Sequence, residues 1–118
     1  MGDHVSWLLE LAVKPGQLDE FKALVAEMID STRAEPGALI YDWSIGDDNR
    51  TVHAYERYAD SAAVLVHLAT FGEKFAQRLL GAADVTRFVV YGAPDDEATQ
   101  ALSGLGPSHM TPVGGFAR

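Results

Sequence analysis

Thr32–His67, reading TRAEPGALIYDWSIGDDNRTVHAYERYADSAAVLVH, is the stretch that decides the fold. Glu35 precedes Pro36, which disfavours helical geometry at that residue, and Gly37 completes the break. From Ala38 to Ile45 the chain alternates as a strand does, Leu39, Tyr41 and Trp43 pointing one way and Ile40, Asp42 and Ser44 the other. Gly46-Asp47-Asp48-Asn49-Arg50 is made of turn formers, so a hairpin is expected. Thr51 to Tyr58 is the returning strand. One face carries Val52, Ala54, Glu56 and Tyr58; the other carries Thr51, His53, Tyr55 and Arg57. Asp60 or Ser61 then caps a helix that carries His67.

Working outward, Val5 to Val13 reads as a strand bounded by Lys14-Pro15-Gly16. Trp7, Leu9, Leu11 and Val13 share one face, and Leu8 makes the other partly apolar, so both sides of the sheet need cover. A helix follows, with Asp19 and Glu20 in its first turn and a stripe of Leu18, Phe21, Leu24, Val25, Met28 and Ile29. Downstream, Val64, Leu68, Phe71, Phe75 and Leu79 form a second stripe, with His67 beside it. Gly72 weakens that helix and Gly81 ends it. Val85 to Tyr91 is a fourth strand. The order β-α-β-β-α-β predicts an α+β, ferredoxin-like domain: an antiparallel sheet with helices on one face. Residues 1–92 form this unit. Residues 93–118 form an extension with a short helix at Asp95–Leu102 and a Gly- and Pro-rich tail, expected to pack on a partner subunit or over a pocket mouth.

At 118 residues and 47% apolar composition the chain suits a single folded core. A net charge of −8 with only 9 Lys and Arg, unclustered, argues against nucleic acid, because phosphate neutralisation needs concentrated positive charge. No apolar run is long enough for a membrane span, and Met-Gly-Asp-His lacks the features of a signal peptide. The absence of cysteine excludes thiolate sites and suits a cytoplasmic location. The four histidines lack metal-ligand spacing with carboxylates, so no metal is expected.

Several motifs occur in a telling order: Val13-Lys14-Pro15-Gly16 with Phe21 downstream, Glu35-Pro36-Gly37 before Tyr41, Asp47-Asp48 in the hairpin, Glu56-Arg57-Tyr58-Ala59-Asp60, and His67 before Phe71 and Phe75. In this the chain resembles the antibiotic biosynthesis monooxygenase family of dimeric α+β barrels. The resemblance implies a homodimer whose sheets face each other, a ligand cavity between sheet and helices, and cofactor-independent oxygenation of a small aromatic or quinol-like metabolite. A non-enzymatic ligand-binding or structural dimer is the alternative. The haem-degrading branch is disfavoured. There is no Asn near Leu9 or Glu10, no Trp on the second helix and no His near Phe75.

The resemblance also places His67 in the cavity, where a neutral imidazole suits deprotonation of a phenol or quinol. Tyr41, Trp43, His53, Tyr55 and Phe71 are the candidate substrate-binding walls, since aromatic side chains suit a planar ligand. Which strand face looks at the helices stays open at this stage. Glu56 either orients His67 or pairs with Arg57 or Arg87 at a subunit interface.

Overall fold

The computed structural model describes residues 3–118; Met1 and Gly2, counted in the expected 1–92 unit and in the N-terminal stretch expected to lack signal-peptide features, lie outside them. The elements run β1 (Val5–Val13), α1 (Leu18–Arg33), β2 (Ala38–Ile45), β3 (Thr51–Tyr58), α2 (Ser61–Lys74), α3 (Ala76–Ala82), β4 (Ala83–Gly92), α4 (Asp96–Leu102), a 3₁₀ turn (Ser103–Leu105) and β5 (Ser108–Met110). The sheet order is β2-β3-β1-β4-β5. The first four strands pair antiparallel, as the β-α-β-β-α-β order requires. β5 is an addition: it pairs parallel with β4 through Val89 and Ser108, making the sheet mixed.

Period-2 alternation assigns the strand residues to two faces. Val5, Trp7, Leu9, Leu11 and Val13 of β1 are buried, as are Val52, Ala54 and Tyr58 of β3 and Phe88 and Val90 of β4. Phe21, Leu24 and Met28 of α1, Val64 of α2 and Leu79 of α3 complete the same core. The opposite face of the sheet presents Ser6, Leu8 and Glu10 of β1 and His53, Tyr55 and Arg57 of β3, with Arg87 and Val89 of β4 in register beside β1.

Three local devices fix the frame. Asp60 caps α2, its carboxylate accepting from the Ala63 N–H at 2.8 Å. Asp48 closes the hairpin by accepting from the Arg50 and Thr51 N–H groups at 2.9 Å, with Asn49 left-handed at φ 55°. Gly37 touches α2: a Cβ built there would stand 2.5 Å from the Ala63 Cβ.

The second helix differs from the expectation of one rod running to Gly81. Helix α2 passes through Gly72 and breaks at Phe75, where φ is −126° and ψ −24°. Helix α3 then restarts, and contacts with α1 and β4 hold it. Tertiary packing, not the glycine, sets the break. After Gly92, Asp95 caps α4 through the Ala98 N–H at 2.8 Å, and its own N–H donates to the Ser61 hydroxyl at 2.9 Å. The C-terminal segment thereby ties back to the start of α2. Among the described residues no helix is long and apolar enough to cross a membrane.

Candidate functional site

The site forms where the end of α1, the hairpin β2-β3 and the middle of α2 converge. Pro36 stops α1 and leaves Glu35 at its exit. Helix α2 turns His67 inward one turn after Val64, and β3 points Glu56 and Tyr58 to the same side. Nδ1 of His67 lies 3.1 Å from Glu35 Oε1, and Nε2 lies 3.4 Å from Glu56 Oε1. The Tyr58 hydroxyl donates to the same Glu56 oxygen at 2.7 Å. His67 and Glu56 are buried, 5% and 4% exposed, so this chain of polar groups is shielded from bulk water.

Burial governs its protonation. Loss of water pushes the His67 imidazole down to about 4 and the Glu56 carboxyl up to about 7, against the smaller lowering effects of hydrogen bonds from Tyr58 and Trp7. Burial raises the Glu35 carboxyl as well. The Tyr41 and Tyr58 phenols are raised, first by burial and then by the nearby Glu56 charge, so both stay protonated donors. A neutral imidazole donates Nδ1–H to Glu35 and keeps its lone pair at Nε2, on the Glu56 side. The two carboxylates flank opposite nitrogens of one ring and do not converge on a point. Among the described residues no His, Asp or Glu cluster is suited to a metal.

Aromatic rings wall the imidazole. Tyr58 lies 4.9 Å, Tyr41 5.6 Å, Trp7 6.3 Å and Phe71 6.4 Å from it, centroid to centroid. A narrow cavity of about 30 Å³ opens against His67, Glu56, Tyr41, Trp43 and Phe71. Leu105, from the 3₁₀ turn after α4, also lines it, so the segment after Gly92 contributes to the site wall.

The structure divides the sequence-derived set. His67, Tyr41, Trp43 and Phe71 come together around the cavity. His53 and Tyr55 do not join them: both sit on the opposite face of β3, because strand alternation sends residues 53 and 55 away from 54 and 56. His53 Nε2 meets Glu10 at 2.9 Å there, and the Tyr55 hydroxyl accepts from Arg57 at 3.3 Å. Glu56 meets His67 and Tyr58, not an arginine, since Arg57 points to the other side. Glu35, Tyr58 and Trp7 were not singled out from the sequence as site residues. The Glu35-Pro36-Gly37 motif is a signal, as a helix stop and as part of the family resemblance, but neither reading gives Glu35 a role at the site.

A family model described as antibiotic biosynthesis monooxygenase matches residues 5–77. No curated protein matches the sequence. Among solved structures, MupZ from Pseudomonas fluorescens superposes with a TM-score of 0.82 at 26% identity, covering 98% of this chain and 95% of its own. That share is too large to leave out α4 and β5, so the segment after Gly92 has a counterpart there. SnoaB from Streptomyces nogalater, a cofactor-independent oxygenase, superposes at 0.67 with 19% identity over 79% of this chain and 95% of its own. Rv0793 from Mycobacterium tuberculosis gives 0.66 at 24% identity, covering 79% and 97%.

Proposed function

The chain belongs to the antibiotic biosynthesis monooxygenase family, and on that footing we propose that it is a cofactor-independent monooxygenase acting on a small aromatic or quinol-like metabolite. The observation that carries the reading is the buried imidazole of His67, held at Nδ1 by Glu35 while Nε2 faces Glu56 beside a cavity. His67 is the base and takes a proton from an activated phenol or ring methylene. The substrate anion then gives electrons to dioxygen. For a methylene the balance is CH₂ + O₂ → C=O + H₂O, one oxygen atom retained and the other leaving as water. No external reductant enters. Glu56, raised by burial to about 7, exchanges its proton near neutral pH and serves as the second proton store. Tyr41, Trp43 and Phe71 hold the ring.

Homodimerisation through the open sheet face belongs to the same proposal. Leu8 of β1 stands on that face between Tyr55 of β3 and Val89 of β4, an apolar row across three strands. A cytoplasmic location fits a chain without cysteine.

A non-enzymatic ligand-binding or structural role is favoured by one observation. The cavity at His67, about 30 Å³, has room for a water molecule or two and not for an aromatic ring. Oxygen consumption against a panel of quinols and anthrones, wild type beside His67→Ala, decides between the two. Turnover that falls by roughly 10²–10⁴ in a folded variant supports the base. No consumption by the wild type across the panel favours the binding role.

A further inference from the structure

The wall of the His67 cavity is unevenly held. Leu9, Glu56 and Phe88 line it from strands that have a neighbour on each side. His67 and Phe71 line it from α2, which is pinned at its start by the Asp60 cap and by the close approach of Gly37 to Ala63. Leu105 is placed differently. It sits on the three-residue 3₁₀ turn between α4 and β5, with Gly104 before it and Gly106 after it. Anchoring stops just short of this turn: Ala98 and Leu102 of α4 are buried, whereas Ser103, Gly104 and Gly106 are exposed and Leu105 is half-buried. The hydrogen bonds of the turn are local. The Gly106 N–H donates to the Ser103 carbonyl at 3.0 Å, and the Ser103 hydroxyl donates to the Gln100 carbonyl at 2.6 Å. Among the described residues no hydrogen bond joins the turn to the sheet or to α2. Gly106 adopts φ 65°, and a Cβ built on either glycine would meet nothing within 4 Å. A few such residues between fixed elements are enough to absorb the backbone change when a lid moves.

We propose that Leu105 is the gate residue of the His67 cavity: the turn at Ser103–Gly106 swings its side chain out, and one aromatic ring of the ligand takes its place against the imidazole. The volumes make a moving wall necessary. The closed cavity holds about 30 Å³, whereas an engineered cavity that takes up benzene is about 150 Å³. Withdrawing an isobutyl group frees much of that difference without disturbing a strand or a long helix. The space is bounded by Trp7, Phe71 and Phe88, whose faces suit a flat ring, with His67 and Glu56 as its polar groups. Leu105 lies outside residues 5–77, so the gate belongs to the C-terminal segment and not to the part matched by the family model. The gate selects a ligand that presents a single oxygenated ring. The inference rests on the reading of the His67 cavity as a ligand site, not on any reaction with dioxygen.

The test is titration of the full chain with phenol, followed by NMR. The Leu105 methyl signals report the gate, and the ring signals of His67 report arrival at the site. Facing aromatic rings, the Leu105 methyls should resonate upfield of exposed leucine methyls. They should return toward the exposed position as phenol saturates the protein, with the His67 signals moving in step. A gate that is mostly closed lowers apparent affinity by the fraction of molecules in which it is open. Leu105→Ala should therefore bind phenol about tenfold more tightly than the wild type, while Leu80→Ala, which trims a leucine exposed on α3, should bind as the wild type does. His67 signals that move while the Leu105 methyls stay in place, equal affinities for wild type and Leu105→Ala, an equal gain in Leu80→Ala, or no binding of phenol by the wild type and Leu105→Ala each overturns the proposal. The methyl signals are followed in the wild type, so a poorly folded variant does not rescue it. Phenol bound behind the gate with no oxygen uptake from any quinol supports the gate and removes the monooxygenase reading. Oxygen uptake with unmoved Leu105 methyls keeps that reading and removes the gate.

Discussion

The two faces of the sheet each hold a histidine against glutamate, and the pairs behave differently. On the open face His53 and Glu10 meet at 2.9 Å, with side chains 46% and 29% exposed. On the helix face His67 lies between Glu35 and Glu56 with all three nearly closed off from water. In the exposed pair the hydrogen bonds from His53 and Thr86 dominate and lower the Glu10 carboxyl. In the buried cluster desolvation dominates, lowering His67 and raising Glu56. Water screens the first pair until it matters little to stability. The second is unfavourable to bury and is stable only because each group has a partner. The same residue types thus form a surface contact in one place and a buried cluster in the other, and solvent access is the difference.

The widest separation between the two should appear in turnover. With a substrate found by oxygen uptake, His67→Ala should lose roughly 10²–10⁴ in rate with its fold intact by circular dichroism. His53→Ala should keep the wild-type rate. A folded His67→Ala enzyme of near-normal turnover would remove the base from the mechanism.

Stability comes next. Tyr58→Phe takes the donor from a fully buried carboxyl and should cost about 1–3 kcal/mol in chemical denaturation. A loss near zero would mean that Glu56 is already satisfied without Tyr58.

A smaller and signed effect is expected with pH. Glu56 is raised from 4.5 to about 7 on folding, so its contribution is fully present below pH 4.5 and lost as pH rises through 7. Glu56→Gln should therefore gain on the wild type as pH rises across that window. His67 is lowered from 6.5 to about 4, so its contribution is present above pH 6.5 and lost as pH falls through 4. His67→Gln should gain on the wild type as pH falls from 6.5 to 4. Denaturation curves of both variants running parallel to the wild type from pH 4 to 7 would show that burial does not set these protonation states. The smallest effect belongs to the surface: His53→Ala should leave the melting temperature where it is, in low and high salt alike.

The difference between the faces also marks what the sequence could disclose. The strands and first helix were legible because period 2 and period 3.6 are local properties, and Pro36, Gly37 and the Gly46–Arg50 turn punctuate them. The β5 addition was not, because three residues, Ser108 to Met110, carry no period; pairing with β4 makes them a strand. Nor was the break at Phe75, which contacts with α1 and β4 impose. His67 was legible as a histidine beside an apolar stripe. Glu35 was not, because its partner lies 32 residues away and its visible role was to precede a proline. Alternation established that His53 and Tyr55 share a face opposite Glu56. Which face met the helices depended on the packed tertiary structure.

Gly37 sits two residues beyond Glu35, and Ala63 lies one helical turn before His67, so their close approach sets how near the carboxylate comes to the ring. The spacing of the buried pair is thus gauged by a missing methyl group. A side chain at 37 would push α2 outward unless position 63 gave up its own Cβ. The two sites are therefore linked in what substitutions they accept: Gly37→Ala alone should stretch the 3.1 Å contact, while Gly37→Ala with Ala63→Gly should restore it. A lineage could cross from one arrangement to the other only by way of the glycine pair, through Ala63→Gly first.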